Sequence, residues 1–108
     1  MPYYMIQMTY TAEAWSAQVQ NPQDRTESIR SVVEGLGGRL VGRWFTFGEY
    51  DAVLITEMPD NVSAAAQAII ALAGGGPKEF KTTPLLTSEE VTESLRKAAG
   101  SGYRPPGQ

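Results

Sequence analysis

An α+β domain is the fold class this sequence predicts, on three observations. Two apolar strands, Arg39 to Phe47 and Asp51 to Glu57, are separated by a few residues that include Gly48. Helical stretches stand before and after that pair, and a further strand stands beyond each helix. The resulting order of strand, helix, two hairpin strands, helix and strand, followed by one more helix, matches the split βαβ arrangement of ferredoxin-like folds.

Each element has its own signal. Tyr3 to Tyr10, YYMIQMTY, places Tyr4, Ile6 and Met8 on one face and Tyr3 and Met5 on the other, as a central strand covered on both faces would. A helix is expected from about Ala12 to Gln20. Pro22 interrupts it and suits the first position of a new helix capped by Asn21. From Asp24 to Leu36 the residues Ile29, Val32, Val33 and Leu36 recur at helical spacing, and Gly37 and Gly38 stop the run. Pro59 and Asp60 end the third strand, and Asp60 or Asn61 caps the helix VSAAAQAIIALAG, which Gly74 to Pro77 break. Lys78 to Thr83 reads as the fourth strand. Thr87 and Glu90 form a capping-box pattern for a helix reaching about Ala99. Residues 1–99 are expected to be one domain and residues 100–108, GSGYRPPGQ, a flexible tail without apolar periodicity.

If Gly48 and Glu49 make a two-residue type II′ turn, the hairpin register follows. Phe47 then faces Tyr50, Phe45 faces Ala52 and Arg43 faces Leu54, while Thr46 faces Asp51, Trp44 faces Val53 and Gly42 faces Ile55. One sheet face holds Arg43, Phe45, Phe47, Tyr50 and Leu54, and the other holds Trp44, Val53 and Ile55. Both faces are apolar, yet two helices cover only one. A second copy of the same sheet, packed about a twofold axis, is the expected cover, the alternative being a monomer whose third helix folds back across it.

Composition narrows the function classes. The chain has 108 residues, 42% of them hydrophobic, and no apolar run near the about 20 residues of a membrane helix. No secretory leader is read at the amino terminus, so a cytoplasmic location is expected. Nine basic residues against twelve acidic ones give a net charge of −3, which disfavours nucleic acid as a partner. With no cysteine and no histidine, thiolate chemistry, zinc–thiolate sites and histidine-ligated haem have no donors here. No cofactor or metal is expected.

The segments NPQDR, EGLGGRL, FGEYDAVLITEMPD and FKTTPLLTSEE, spread over nearly all the chain except the tail, resemble the GYD-domain family of small bacterial proteins. The resemblance implies a dimeric α+β barrel, two ferredoxin-like units with their sheets packed together, and implies no established activity. Barrels of this larger group include cofactor-free monooxygenases, muconolactone-type isomerases, chlorite-dismutase-like haem proteins and the effector domains of leucine-responsive regulators. Gly48-Glu49-Tyr50-Asp51 looks like the Gly-x-Tyr-Asp of those effector domains, where the nearby surface assembles oligomers and binds amino acids. No DNA-binding helix-turn-helix is read before the domain, so a regulator of this type is expected to act without touching DNA.

Several residues carry two readings. Asp51 is either a general base raised by burial or an acceptor of hydrogen bonds at the hairpin, from Thr46 for instance. Tyr50 either orients and protonates a ligand or packs across the strands on Phe47. Arg25 and Arg43 are either anion anchors at a cavity or aliphatic stems with solvated charges. Trp44, Phe45 and Phe47 are candidate walls of an aromatic site, or ordinary core. Three function classes stay open. The first is a homo-oligomeric module binding a small aromatic or carboxylated molecule. The second is a cofactor-free oxygenase or isomerase using Asp51 or Tyr50. The third is a structural oligomer without a ligand.

Overall fold

The alternation in YYMIQMTY decides where the core lies. A computed structural model describes residues 1–107. Strand β1, Tyr3–Tyr10, buries Tyr4, Ile6 and Met8 and leaves Tyr3, Met5 and Gln7 half-exposed. It is followed by α1 (Ala12–Gln20), α2 (Thr26–Gly35), β2 (Arg39–Phe45), β3 (Ala52–Glu57), α3 (Asn61–Ala73), β4 (Pro77–Leu85) and α4 (Ser88–Ala99). The strands form a single antiparallel sheet in the order β2-β3-β1-β4. This is the mixed α+β, ferredoxin-like arrangement that the order of elements predicted.

Helix α2 packs against β2 and α3 against β4. They cover the face that carries Tyr4, Ile6, Met8, Leu40, Ala52 and Leu54, and these residues with Val33, Met58 and Ala64 form the core. The opposite face has no cover within the described residues. On it Tyr3, Met5, Val53, Ile55 and Leu85 are half-exposed and Trp44 is exposed.

The helix ends follow local chemistry. Thr11 caps α1 through Ala14 N, and Asp60 caps α3 through Ser63 N at 2.8 Å. Helix α2 ends in a Schellman motif. Gly38 N donates to Val33 O, Gly37 N donates to Glu34 O, and Gly37 takes the left-handed conformation at φ 86°. Thr87 and Glu90 complete the capping box of α4. Every residue of α4 is exposed, Val91 and Leu95 included, and the longest dimension of the molecule is 61 Å.

Three local expectations are corrected. Helix α2 starts at Thr26, not beside Pro22, because the Asp24 carboxylate accepts from Thr26 N at 2.9 Å and Thr26 Oγ1 at 2.5 Å and so holds residues 21–25 as a link. Strand β4 is longer than read, since it pairs with the whole of β1. The hairpin register Gly42 to Ile55, Arg43 to Leu54, Trp44 to Val53 and Phe45 to Ala52 is as expected, but the type II′ turn is not formed. Gly48 has no positive φ, and the ladder stops at Phe45 and Ala52. Thr46 N still donates to Asp51 O across the hairpin, while Asp51 N donates to Met8 O and ties the end of the turn to β1. The strand pair also carries a bulge that no expectation addressed. The β2–β3 register shifts between Leu40 and Gly42, with Val41 as the extra residue.

Thr56 is fully buried, and its Oγ1 has no hydrogen-bond partner. An orphaned buried hydroxyl costs about 1–3 kcal/mol. Thr56→Val, which keeps the shape and removes the hydroxyl, is expected to raise unfolding stability by about 1 kcal/mol in urea titrations. A loss of stability would show that Oγ1 is satisfied.

Three carboxylates, Asp24 and Asp60 exposed and Glu57 half-buried, are held below their ordinary range. Asp24 is lowered by the Thr26 hydroxyl, Glu57 by the Arg39 guanidinium, and Asp60 by the Ser63 backbone N–H. Each therefore adds stability above its unfolded-state pKa, and loses it as pH falls from there through the lower folded value. Acid titration is expected to show that loss beginning in the ordinary carboxylate range. Asp60→Asn should keep the α3 cap while flattening part of the slope, and an unchanged slope would remove Asp60 from the account.

Candidate functional site

Residues of the sheet, of α1, α2 and α3 and of the loop before β4 line a half-open cavity of about 680 Å³. That is within the roughly 300–1,000 Å³ usual for small-molecule sites. Its position follows from two short links. Thr11 N donates to Gly76 O at 3.1 Å, tying the start of α1 to the glycine loop between α3 and β4. The Asn21–Arg25 link then carries the chain across the opening before α2 returns to the sheet. Met8, Ile29, Val33, Leu54, Ile70 and Phe80 supply apolar wall.

Arg43 is the exceptional lining residue. Its side chain is only 7% exposed. Its NH2 donates to Tyr10 Oη at 3.4 Å, its NH1 lies 4.0 Å from Asp24 Oδ1, and its Nε has no partner. The guanidinium sits over the Phe45 ring, 4.6 Å from the centroid. Tyr10 joins this group edge-on to Trp15 at 5.1 Å and tilted on Phe45 at 6.4 Å. A buried cation with long, few contacts has donors to spare for an acceptor in the cavity.

The structure separates the residues singled out from sequence. Arg25 is the N-cap of α2, exposed, and lines the cavity with Arg43. Phe45 adjoins them through Arg43 and Tyr10. Trp44 lies on the uncovered sheet face, its ring folded back over Gly42, so it is not a wall of this cavity. Phe47 is fully exposed at the hairpin tip and packs against neither Tyr50 nor the cavity. Tyr50 offers its carbonyl to Thr46 Oγ1 at 2.5 Å. The Asp51 carboxylate accepts from Tyr10 N at 2.9 Å, so its partner is the end of β1 and not Thr46.

Two lining residues escaped the sequence reading. Gln67, 7% exposed, faces the cavity from α3, and Tyr10 closes the end of β1. Gln67 carried a signal, being a lone amide inside the apolar run AAAQAIIALA. Tyr10 shares the parity of Met8 and Ile6, which placed it on the covered face.

The family model described as GYD domain matches residues 4–95. Comparison with curated proteins gives no match. Among solved structures, the transcriptional regulator NMB0573 of Neisseria meningitidis, described as its L-Met complex, is similar with a TM-score of 0.51 at 14% identity. That likeness covers 81% of this chain and 51% of the regulator, so the chain spans about half the regulator's length. TTHA0845 of Thermus thermophilus gives a TM-score of 0.45 at 12% identity, over 82% of this chain and 96% of that one. At such identities the likeness to the regulator is one of fold alone.

Proposed function

Because this chain belongs to the GYD domain family, whose model spans all of its sheet but Tyr3 and all of its covering helices, we propose that it is a homo-oligomeric module that binds a small organic molecule between sheet and helices. One observation carries the reading, a cavity of about 680 Å³ containing a buried and incompletely partnered Arg43. Arg43 is the anchor, Arg25 a second cation at the opening, and Phe45 the ring that supports Arg43. The regulator described with L-Met lends support for a small ligand on a fold of this kind. Asp51 and Tyr50 hold the hairpin in this reading, Asp51 Oδ2 accepting from Tyr10 N and the Tyr50 backbone carbonyl from Thr46 Oγ1, and neither residue lines the cavity.

Self-association is the second part of the proposal. Met5, Trp44, Val53, Ile55 and Leu85 make an apolar face that no helix of the described residues covers, and faces of that kind mark interfaces. A second copy packed sheet to sheet buries it. The test combines two measurements on the purified chain. Sedimentation should give twice the chain mass, and Ile55→Arg, which would put a charge in each half of the interface, should weaken association by about two orders of magnitude. Thermal unfolding should shift upwards with a bound small molecule in proportion to its concentration over its affinity. A monomer at all concentrations ends the oligomer proposal, and a cavity that takes up no organic probe ends the binding proposal.

A further inference from the structure

We propose that the cavity selects an apolar carboxylic acid that lacks an α-ammonium group, its carboxylate received by Arg43; this rests on the small-molecule reading above. The argument starts from the unmet needs of the guanidinium. It carries five N–H donors and sits in a side chain 7% exposed, yet it has one hydrogen bond, a 3.4 Å contact to Tyr10 Oη. Asp24 does not complete it. That carboxylate is 80% exposed, stands 4.0 Å away, and its Oδ1 already accepts from Thr26 N and Thr26 Oγ1. A buried cation in this state is stabilised most by an acceptor that is itself charged and planar, which describes a carboxylate.

The rest of the ligand is set by the walls. Met8, Ile29, Val33, Leu54, Ile70 and Phe80 present carbon to the interior, and Gln67 contributes a neutral amide. An aliphatic or aryl body fits that lining. An α-ammonium group would not. It would lie next to the carboxylate and therefore next to the Arg43 guanidinium, with Arg25 lining the same cavity. Glu13 in the lining and Asp24 beside Arg43 are both exposed, and ion pairs in water return little, while half-exposed Asp51 lies outside the lining with its carboxylate accepting from Tyr10 N. The neutral acceptors of the lining, Gln67 among them, would have to offset the desolvation of a second cation beside Arg43 without a buried carboxylate to help.

Three probes that share one skeleton separate these terms: 3-phenylpropanoate, 3-phenylpropanamide and L-phenylalanine, titrated calorimetrically into the full chain. The expected result is that 3-phenylpropanoate binds about tenfold or more tighter than either of the others, and that Arg43→Met removes this preference. The comparison among probes on the unaltered protein stands even if the variant folds poorly. Equal binding of the amide would overturn the role of Arg43, and equal or tighter binding of L-phenylalanine would overturn the exclusion of the ammonium. A neutral dye, N-phenyl-1-naphthylamine, tells the two levels of failure apart. Dye uptake that Ala71→Phe blocks, with no carboxylate preference, would overturn this inference and leave the binding module. Absence of both dye and probe binding would overturn both.

Discussion

Ile6→Ala is expected to lower the free energy of unfolding by about 2–5 kcal/mol. Ile6 is 1% exposed at the centre of β1, opposite Leu54 on β3 and Thr82 on β4. Hydrogen-bonded neighbours hold the backbone on both sides, so the site cannot close around a smaller side chain. With about 4–8 °C of melting temperature for each kcal/mol in a domain near this size, the midpoint should fall by roughly 8–40 °C. Urea titrations at fixed protein concentration would measure it, with Val19→Ala on the exposed side of α1 as the control expected to stay within about 0.5 kcal/mol. A loss below about 1 kcal/mol at Ile6 would mean the core is not packed as described.

Two glycines three residues apart should give effects of opposite sign. A Cβ at Gly38 would run into the Glu57 carbonyl oxygen and Met58 Sδ and would press on Val33 Cγ1 at 3.3 Å. The carbonyl belongs to the β3 backbone and cannot turn away, so Gly38→Ala is expected to cost about 1–3 kcal/mol. Gly35, the last residue of α2, has open space where its Cβ would stand and no positive φ. Gly35→Ala should therefore add about 0.5–1 kcal/mol through helix preference alone. Measured side by side by denaturant unfolding, equal effects of the same sign would contradict the close approach of the α2–β2 link to β3.

The sheet was legible because its signals are local or short in range. Parity along YYMIQMTY separated Tyr4, Ile6 and Met8 from Tyr3 and Met5, and the spacing of RLVGRWF and DAVLITE set four cross-strand pairs correctly. The turn between them was not legible, since its shape is decided by Asp51 N on Met8 O and by the Asp51 carboxylate on Tyr10 N. Those contacts join residues about forty positions apart. The start of α2 failed for the opposite reason, a very local one. Asp24 competes for the Thr26 donors and wins over the proline signal at Pro22. The candidate site was half legible. Arg43 stood out as a charge among aromatics, but its enclosure depends on α1, α2 and α3 closing over one face, which no single stretch encodes. Trp44, its neighbour in sequence, was assigned to the site by aromatic character when parity alone put it on the other side of the sheet.

The bulge at Val41 works like a frameshift in a reading frame. Arg39 and Arg43 are four residues apart, and in an unbroken strand they would emerge on the same side. One inserted residue sends them to opposite sides. Arg39 ends beside Glu57 in an exposed ion pair, and Arg43 ends inside the cavity with Tyr10. Two arginines of identical chemistry thus hold different offices, one at the rim and one at the centre, by virtue of a single position of backbone. Deleting Val41 would alter no charge and remove no interior side chain, yet it would exchange the sides of everything that precedes it in the strand or everything that follows.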